Sequence, residues 1–151
     1  MLSKKTKYAL KALMSLAEEP AGVPLMIGTL AARARLPKRF LELILLELKG
    51  IGVVNSRKGK QGGYFLNRDP KDIALGHVIR TLDGPLALLP CVSKTAYKPC
   101  AECVDERTCG LRLVMLEVRN ATAGILDDTT LADMLEREAD AKARPDTMYF
   151  I

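Results

Sequence analysis

All of the chain's cysteines, Cys91, Cys100, Cys103 and Cys109, fall within the nineteen residues CVSKTAYKPCAECVDERTC. Clustered thiolates ligate zinc or iron-sulfur clusters, or take part in disulfide exchange. The Cys100-x2-Cys103 interval suits zinc and also suits a dithiol. Charges interrupt the apolar positions of MLSKKTKYALKALMSLAEEP, so it does not read as a secretory signal. No later stretch approaches the roughly eighteen apolar residues of a membrane span. The expectation is a soluble cytoplasmic protein with no membrane partner. In a reducing compartment, grouped cysteines point to metal binding, redox chemistry or catalysis rather than to a structural disulfide framework. On residue types and spacing alone, zinc, a cluster and a thiol switch stay open. A dithiol oxidoreductase would place Cys100-Ala-Glu-Cys103 at a helix start beside a βαβ unit, and no such unit is visible. Without a nucleophile-base pattern or a glycine-rich nucleotide loop either, the chain does not read as an enzyme. His77, the only histidine, sits in a helical pattern with no catalytic neighbours and reads as a surface or packing residue.

A second group of residues has a different chemistry. The net charge of +5 is unevenly spread: residues 1–60 carry twelve Lys and Arg against four acids, which leaves the remainder at −3. A basic first portion suggests a polyanion as partner. Lys38, Arg39 and Glu42 lie at the start of a helical pattern, where Lys and Arg could reach guanine or phosphate and Glu could accept from a cytosine amino group. Arg57, Lys58 and Lys60 lie in RKGKQGG, a glycine-containing loop between two short apolar runs.

The elements that must position these residues follow from periodicity. Ala9, Leu10, Leu13, Leu16 and Ala17 recur at helical spacing, with Ser3 or Thr6 as cap and Pro20 as stop. Residues 26–34 make a short second helix. Pro37 opens a third, with Phe40, Leu41, Ile44, Leu45 and Leu48 continuing to Gly50. VVNS (53–56) and YFLN (64–67) read as strands of a hairpin with a basic tip. Three helices and such a hairpin form a winged helix-turn-helix, whose helix fits the major groove of double-stranded DNA while the hairpin tip reaches phosphates or the minor groove.

Residues 71–83 predict a fourth helix. After the cysteine loop, Leu111, Leu113, Leu116, Val118 and Ile125 continue a long helical pattern, and DDTTLADMLEREADA predicts another helix capped by Thr129 or Thr130. Too little chain is left to cover the long helix, so a second subunit is expected on it. The fold class is mainly α with a small β-hairpin, a winged helix-turn-helix plus a long C-terminal dimerisation helix. The expected division is 1–84 for DNA binding, 85–110 for the cysteine-rich sensor loop, 111–143 for the dimerisation and C-terminal helices, and 144–151 for the tail.

TKYALKALMSLA (6–17), LPKRFLELILLELKGIGVVNSRKGKQGGYFLNRDP (36–70), VIRTLDGP (78–85) and a cysteine-bearing loop before a helix ending GILDDTTLADM (124–134) resemble the Rrf-type winged-helix transcription regulators of the IscR and NsrR kind. The wing segment with Ser56, Arg57, Gly59 and Gly62-Gly63-Tyr64 is the most specific part. The resemblance implies a homodimer joined through the long helix, binding a palindromic operator as repressor or activator. It also implies an iron-sulfur cluster, 4Fe-4S or 2Fe-2S. Cluster-binding members have Cys-x5-Cys-x5-Cys, and only the interval from Cys103 to Cys109 is kept here. Cys103 and Cys109 match the second and third ligands, Cys91 is the natural first, and Cys100 has no counterpart. Arg112 and Lys7 stand where relatives supply a non-cysteine ligand, which leaves Cys100 as the implied fourth. Glu42 matches a glutamate linked to base selection in that family.

Overall fold

The computed structural model describes residues 2–144, so the predicted tail beyond Arg144 lies outside the described residues. Helix α1 (Lys4–Ala17) starts at Ser3, whose hydroxyl accepts from the Thr6 N–H at 3.1 Å and whose backbone N–H donates to Asp83 at 2.8 Å. Ser3 rather than Thr6 is therefore the cap, and it ties the start of α1 to the end of α4 (Leu75–Asp83). The faces predicted for α1, α2 (Ile27–Ala34) and α3 (Lys38–Gly50) meet in one core, where Leu13, Leu30, Leu41, Leu45 and Leu48 are fully buried, except that Phe40 of the predicted α3 face stays exposed with its ring edge-on to Tyr8.

The turn between α2 and α3 uses Arg35 in the left-handed region (φ 54°) as its C-cap, and the Leu36 N–H returns to the Ala31 carbonyl at 2.9 Å. Burial of Leu36 fixes this geometry, since non-glycine residues adopt it only where the surroundings hold them there. Pro37, predicted as the first helical residue, is instead the N-cap, so α3 starts one residue later at Lys38, and the Pro37 carbonyl accepts the first helical N–H groups.

Strands β1 (Val54–Arg57) and β2 (Gly63–Leu66) pair antiparallel with Val54 opposite Leu66 and Arg57 opposite Gly63. Each is displaced by one residue from its predicted span. The cause is nonlocal: Tyr64 bridges to Leu25 before α2 through two backbone hydrogen bonds of 2.8 and 2.9 Å. The predicted helix over 71–83 likewise begins late. Pro70–Asp72 form a 3-10 turn, and Ile73 to Leu75 exchange backbone hydrogen bonds with 129–131 before α4 starts. Helix α5 (Gly110–Asp128) follows the cysteine loop, and α6 (Leu131–Ala143) begins with a capping box in which Thr130 and Asp133 each accept from the other's backbone N–H. Leu131 is fully buried in the same core as α1 to α4. The molecule is mainly helical with one two-stranded antiparallel sheet among the described residues.

Candidate functional site

Lys38, Arg39 and Glu42 are all exposed on the first turns of α3, opposite the buried Leu41, Ile44 and Leu45. Arg57, Lys58 and Lys60 are exposed at the hairpin tip. None of the six has an ion-pair partner among the described residues. Lys38 and Arg57 line one open concavity together with the start of α2 (Ile27, Gly28, Thr29) and the hairpin glycines, which brings a cation of α3 and one of the hairpin onto a shared surface. The α2 contribution has no charge signal in the sequence, since Ile27, Gly28 and Thr29 are uncharged.

The wing holds this placement through its glycines. A Cβ on Gly63 would stand 2.2 Å from the Leu25 carbonyl oxygen, and one on Gly62 would stand 2.2 Å from that of Arg57. Lys49 Nζ donates to Ser56 Oγ at 2.6 Å, joining α3 to β1, and the Arg57 guanidinium lies 5.8 Å from the centre of the Phe65 ring.

The four cysteines occupy two settings. Cys91 lies on a 3-10 turn (Pro90–Val92) and is buried, while Cys100, Cys103 and Cys109 are half-buried in the loop before α5. The Cys103 thiol interacts with those of both Cys109 and Cys100, the Cys109 contact first, and these together with desolvation push its pKa up to about 12. Cys109 is the N-cap of α5. Its side chain closes no capping hydrogen bond, but the nearby Arg112 N–H, then the Cys103 thiol, hold its pKa below the ordinary thiol value. Cys103 is therefore the proton holder and Cys109 the more acidic member of the pair.

Arg112 connects the settings. Its Nε donates to the Cys91 carbonyl at 3.3 Å and stands 3.6 Å from Glu106. Glu106 in turn accepts from the Cys100 N–H at 3.0 Å and the Tyr97 hydroxyl at 2.9 Å, so its carboxyl is held below its usual range by the Cys100 N–H first and Tyr97 second. Tyr97 and Glu106 are parts of this loop that the sequence did not mark. His77 is exposed on α4.

Among the described residues no three His, Cys, Asp or Glu side chains converge as a ready-made metal site. The donors fit an iron-sulfur cluster by chemistry: Cys103 lies close enough to the Cys109 and Cys100 thiols for both to shift its pKa, and the backbone of the fourth cysteine, Cys91, is tied to the same first turn of α5. Closing four thiols round one centre requires the loop to rearrange.

Helix α5 exposes Leu111, Val114, Val118 and Ile125 along one stripe, with Leu111 61% and Ile125 65% accessible in the single chain. No helix among the described residues is long and apolar enough to cross a membrane.

Residues 2–137 match the family model Rrf2, described as an iron-dependent transcriptional regulator. The chain is 46% identical over 138 residues to an Rrf2-like helix-turn-helix-type transcriptional regulator of Rhodobacter capsulatus, covering 89% of this chain and 92% of that protein. Among solved structures, CymR, the global cysteine regulator of Bacillus subtilis, aligns with a TM-score of 0.75 at 28% identity over 91% of this chain and 97% of its own. IscR of T. potens aligns with a TM-score of 0.74 at 30% identity over 99% and 96%.

Proposed function

The chain belongs to the Rrf2 family of transcriptional regulators, and from that premise we propose that it binds operator DNA as a homodimer under the control of an iron-sulfur cluster held in the 85–110 loop. The observation that carries the cluster reading is the grouping of Cys100, Cys103 and Cys109 at the α5 N-terminus with the Cys91 backbone tied to the same turn. The family description as iron-dependent supports it. Cys91, Cys100, Cys103 and Cys109 would be the ligands. When bound, such a cluster supplies a centre whose charge depends on redox state and which oxidants can remove.

This chain's own residues supply the rest. Arg112 and Glu106 orient the loop against α5. The stripe Leu111, Val114, Val118 and Ile125 is covered by the second subunit. In residues 1–84, Lys38, Arg39 and Glu42 enter the major groove while Arg57, Lys58 and Lys60 neutralise phosphates. Two such portions on a two-fold axis read palindromic half-sites about 34 Å apart or a multiple of it. A DNA-binding regulator of this kind works in the cytoplasm.

The deciding experiment is anaerobic purification with iron and sulfide analysis and a visible spectrum. A coloured protein is expected, with colour lost in each of Cys91→Ala, Cys103→Ala and Cys109→Ala and made labile in Cys100→Ala. An unchanged spectrum and oxidant sensitivity in Cys100→Ala would remove Cys100 from the ligand set. A second reading, a thiol-disulfide switch, is favoured by the Cys103-Cys109 contact and the acidity of Cys109. A colourless anaerobic preparation whose DNA binding changes with diamide, accompanied by a Cys103-Cys109 disulfide in peptide mass spectra, would select that reading. A colourless preparation containing zinc would instead select a zinc-dependent regulator.

A further inference from the structure

A cavity of about 320 Å³ lies between α4, the segment after it and the inner side of α5. Three cations line it, Arg80, Lys94 and Arg119, against one acid, Asp127. That acid is already engaged: Arg80 donates to both of its carboxylate oxygens, Nη1 at 2.6 Å and Nη2 at 2.7 Å. Gly76 permits the approach, because a Cβ there would stand 2.1 Å from Asp127 Oδ1.

Arg119 has no such counterpart. It is only 9% exposed, and its buried Nε finds no hydrogen-bond partner among the described residues. No ion pair involves it either. A guanidinium cannot escape the cost of burial by losing its proton, so an anion is the group that would compensate it. Ser93 and Thr95 add hydroxyls to the lining, and Ser93 Oγ, which accepts from the Ala96 N–H, keeps its own proton to donate.

The position on α5 separates this feature from the exposed apolar stripe. At 3.6 residues per turn, Arg119 is about 100° round the helix from Val118 and shares its side with Leu116, Ala123 and Leu126. A second chain laid along Leu111, Val114, Val118 and Ile125 would leave the cavity's own lining in place. The inner side of α5 faces α4 and the 3-10 turn that carries Cys91.

We propose that this cavity is a binding site for a small organic or inorganic anion bearing a carboxylate or phosphate group, with the Arg119 guanidinium forked onto the oxyanion and Lys94 and the Ser93 and Thr95 hydroxyls completing its coordination. Planar guanidinium matches both oxyanion types through paired hydrogen bonds. The cavity falls within the roughly 300–1,000 Å³ usual for small-molecule sites. Its walls come from the DNA-binding portion, the cysteine loop and α5, so an occupant would touch all three.

The test uses the reduced full-length chain titrated calorimetrically with inorganic phosphate and, separately, with succinate, at constant ionic strength balanced by chloride. Saturable binding of at least one anion is expected, and which one responds identifies the head group. Arg119→Met, which keeps the bulk without the charge, should weaken binding by about tenfold or more, and Lys94→Ala by about threefold. Arg107→Ala, on an exposed loop residue outside the cavity, should leave it unchanged. Lys94 is exposed, so its variant decides the matter if Arg119→Met does not fold. The proposal fails if neither anion binds beyond the chloride control, or if the Lys94 and folded Arg119 variants bind as the parent does. It also fails if the parent ignores both anions while Arg119→Met shifts the monomer-dimer equilibrium in sedimentation, because the counter-charge then comes from a second copy.

Discussion

Replacing Arg57, Lys58 and Lys60 together by Gln tests whether the hairpin tip meets DNA, and its effect can be sized in advance. All three side chains are exposed and have no acidic partner among the described residues, so the substitution removes charge without breaking an ion pair, and only Arg57 gives up a contact, with the Phe65 ring. A dimer would lose six cations. Each neutralised phosphate contributes about −0.9 to the slope of log affinity against log salt, so a full set of contacts accounts for a slope of about −5. Between about 50 and 200 mM salt that amounts to roughly a thousandfold in affinity. Fluorescence anisotropy with a labelled operator and with unrelated duplex, at four salt concentrations, should show the variant weaker on both sequences and its slope flatter by as much as about 5. A smaller flattening counts how many of the three reach phosphate. An unchanged slope would refute the wing contact, whatever happened to affinity at one salt concentration.

Other outcomes follow from the same geometry. Gly63→Ala must push Leu25 and Tyr64 apart, losing two backbone hydrogen bonds worth about 0.5–1.5 kcal/mol each plus backbone strain, so urea unfolding should show a loss of about 2–4 kcal/mol. Gly59→Ala meets no neighbouring atom and should lose only the strain of its positive φ, about 1–3 kcal/mol and less than Gly63→Ala loses; equal losses for the two would contradict the close approach. If Glu42 faces DNA as proposed, Glu42→Ala should raise affinity for unrelated duplex, while a target presenting cytosine gains less or loses; equal effects on all sequences would leave Glu42 without a readout role. The Asp133 carboxyl is held below its ordinary 3.8 by the Thr130 N–H and then its hydroxyl, so its stabilisation is complete above that value and fades as pH falls through the lower folded value. The stability gap between the parent and Asp133→Ala should therefore be flat from about pH 8 to 5 and close below about pH 4; a gap that persists there would remove the charge from the capping box.

Periodicity in the sequence is enough to find the helices because each buries one apolar face, and the 3.6-residue repeat records that face directly. It misses what distant backbone decides. The strand register depends on Leu25 meeting Tyr64, and the late start of α4 depends on residues 129–131, neither of which leaves a local mark. In the cysteine loop, residue types were legible but not the partition of protons, because the Cys103 and Cys109 pKa values depend on which thiol lies over the first turn of α5. Arg119 did have a signal: Leu116, Ala123 and Leu126 mark an inward side, and an arginine between them at helical spacing is a charge directed inward.

The two ends of α5 are held by different kinds of interaction, which gives the cysteine loop its leverage. At the C-terminal end, the Arg80 fork on Asp127, the Leu75 N–H to Thr129 at 2.9 Å and the Leu131 N–H to Ile73 at 2.9 Å fasten the helix and its successor to α4. The paired backbone bonds matter most, because the Arg80 and Asp127 side chains are 31% and 45% exposed and a pair so open to solvent contributes about 1 kcal/mol or less. At the N-terminal end the contacts run through side chains of the loop itself: Arg112 on the Cys91 carbonyl and on Glu106, and Glu106 on Cys100 and Tyr97. Two of these bonds end on cysteine backbone groups, the Cys91 carbonyl and the Cys100 N–H. A rearrangement of the cysteines would therefore disturb the anchoring of the first turns of α5, whereas the far end is followed by Leu131, fully buried in the common core.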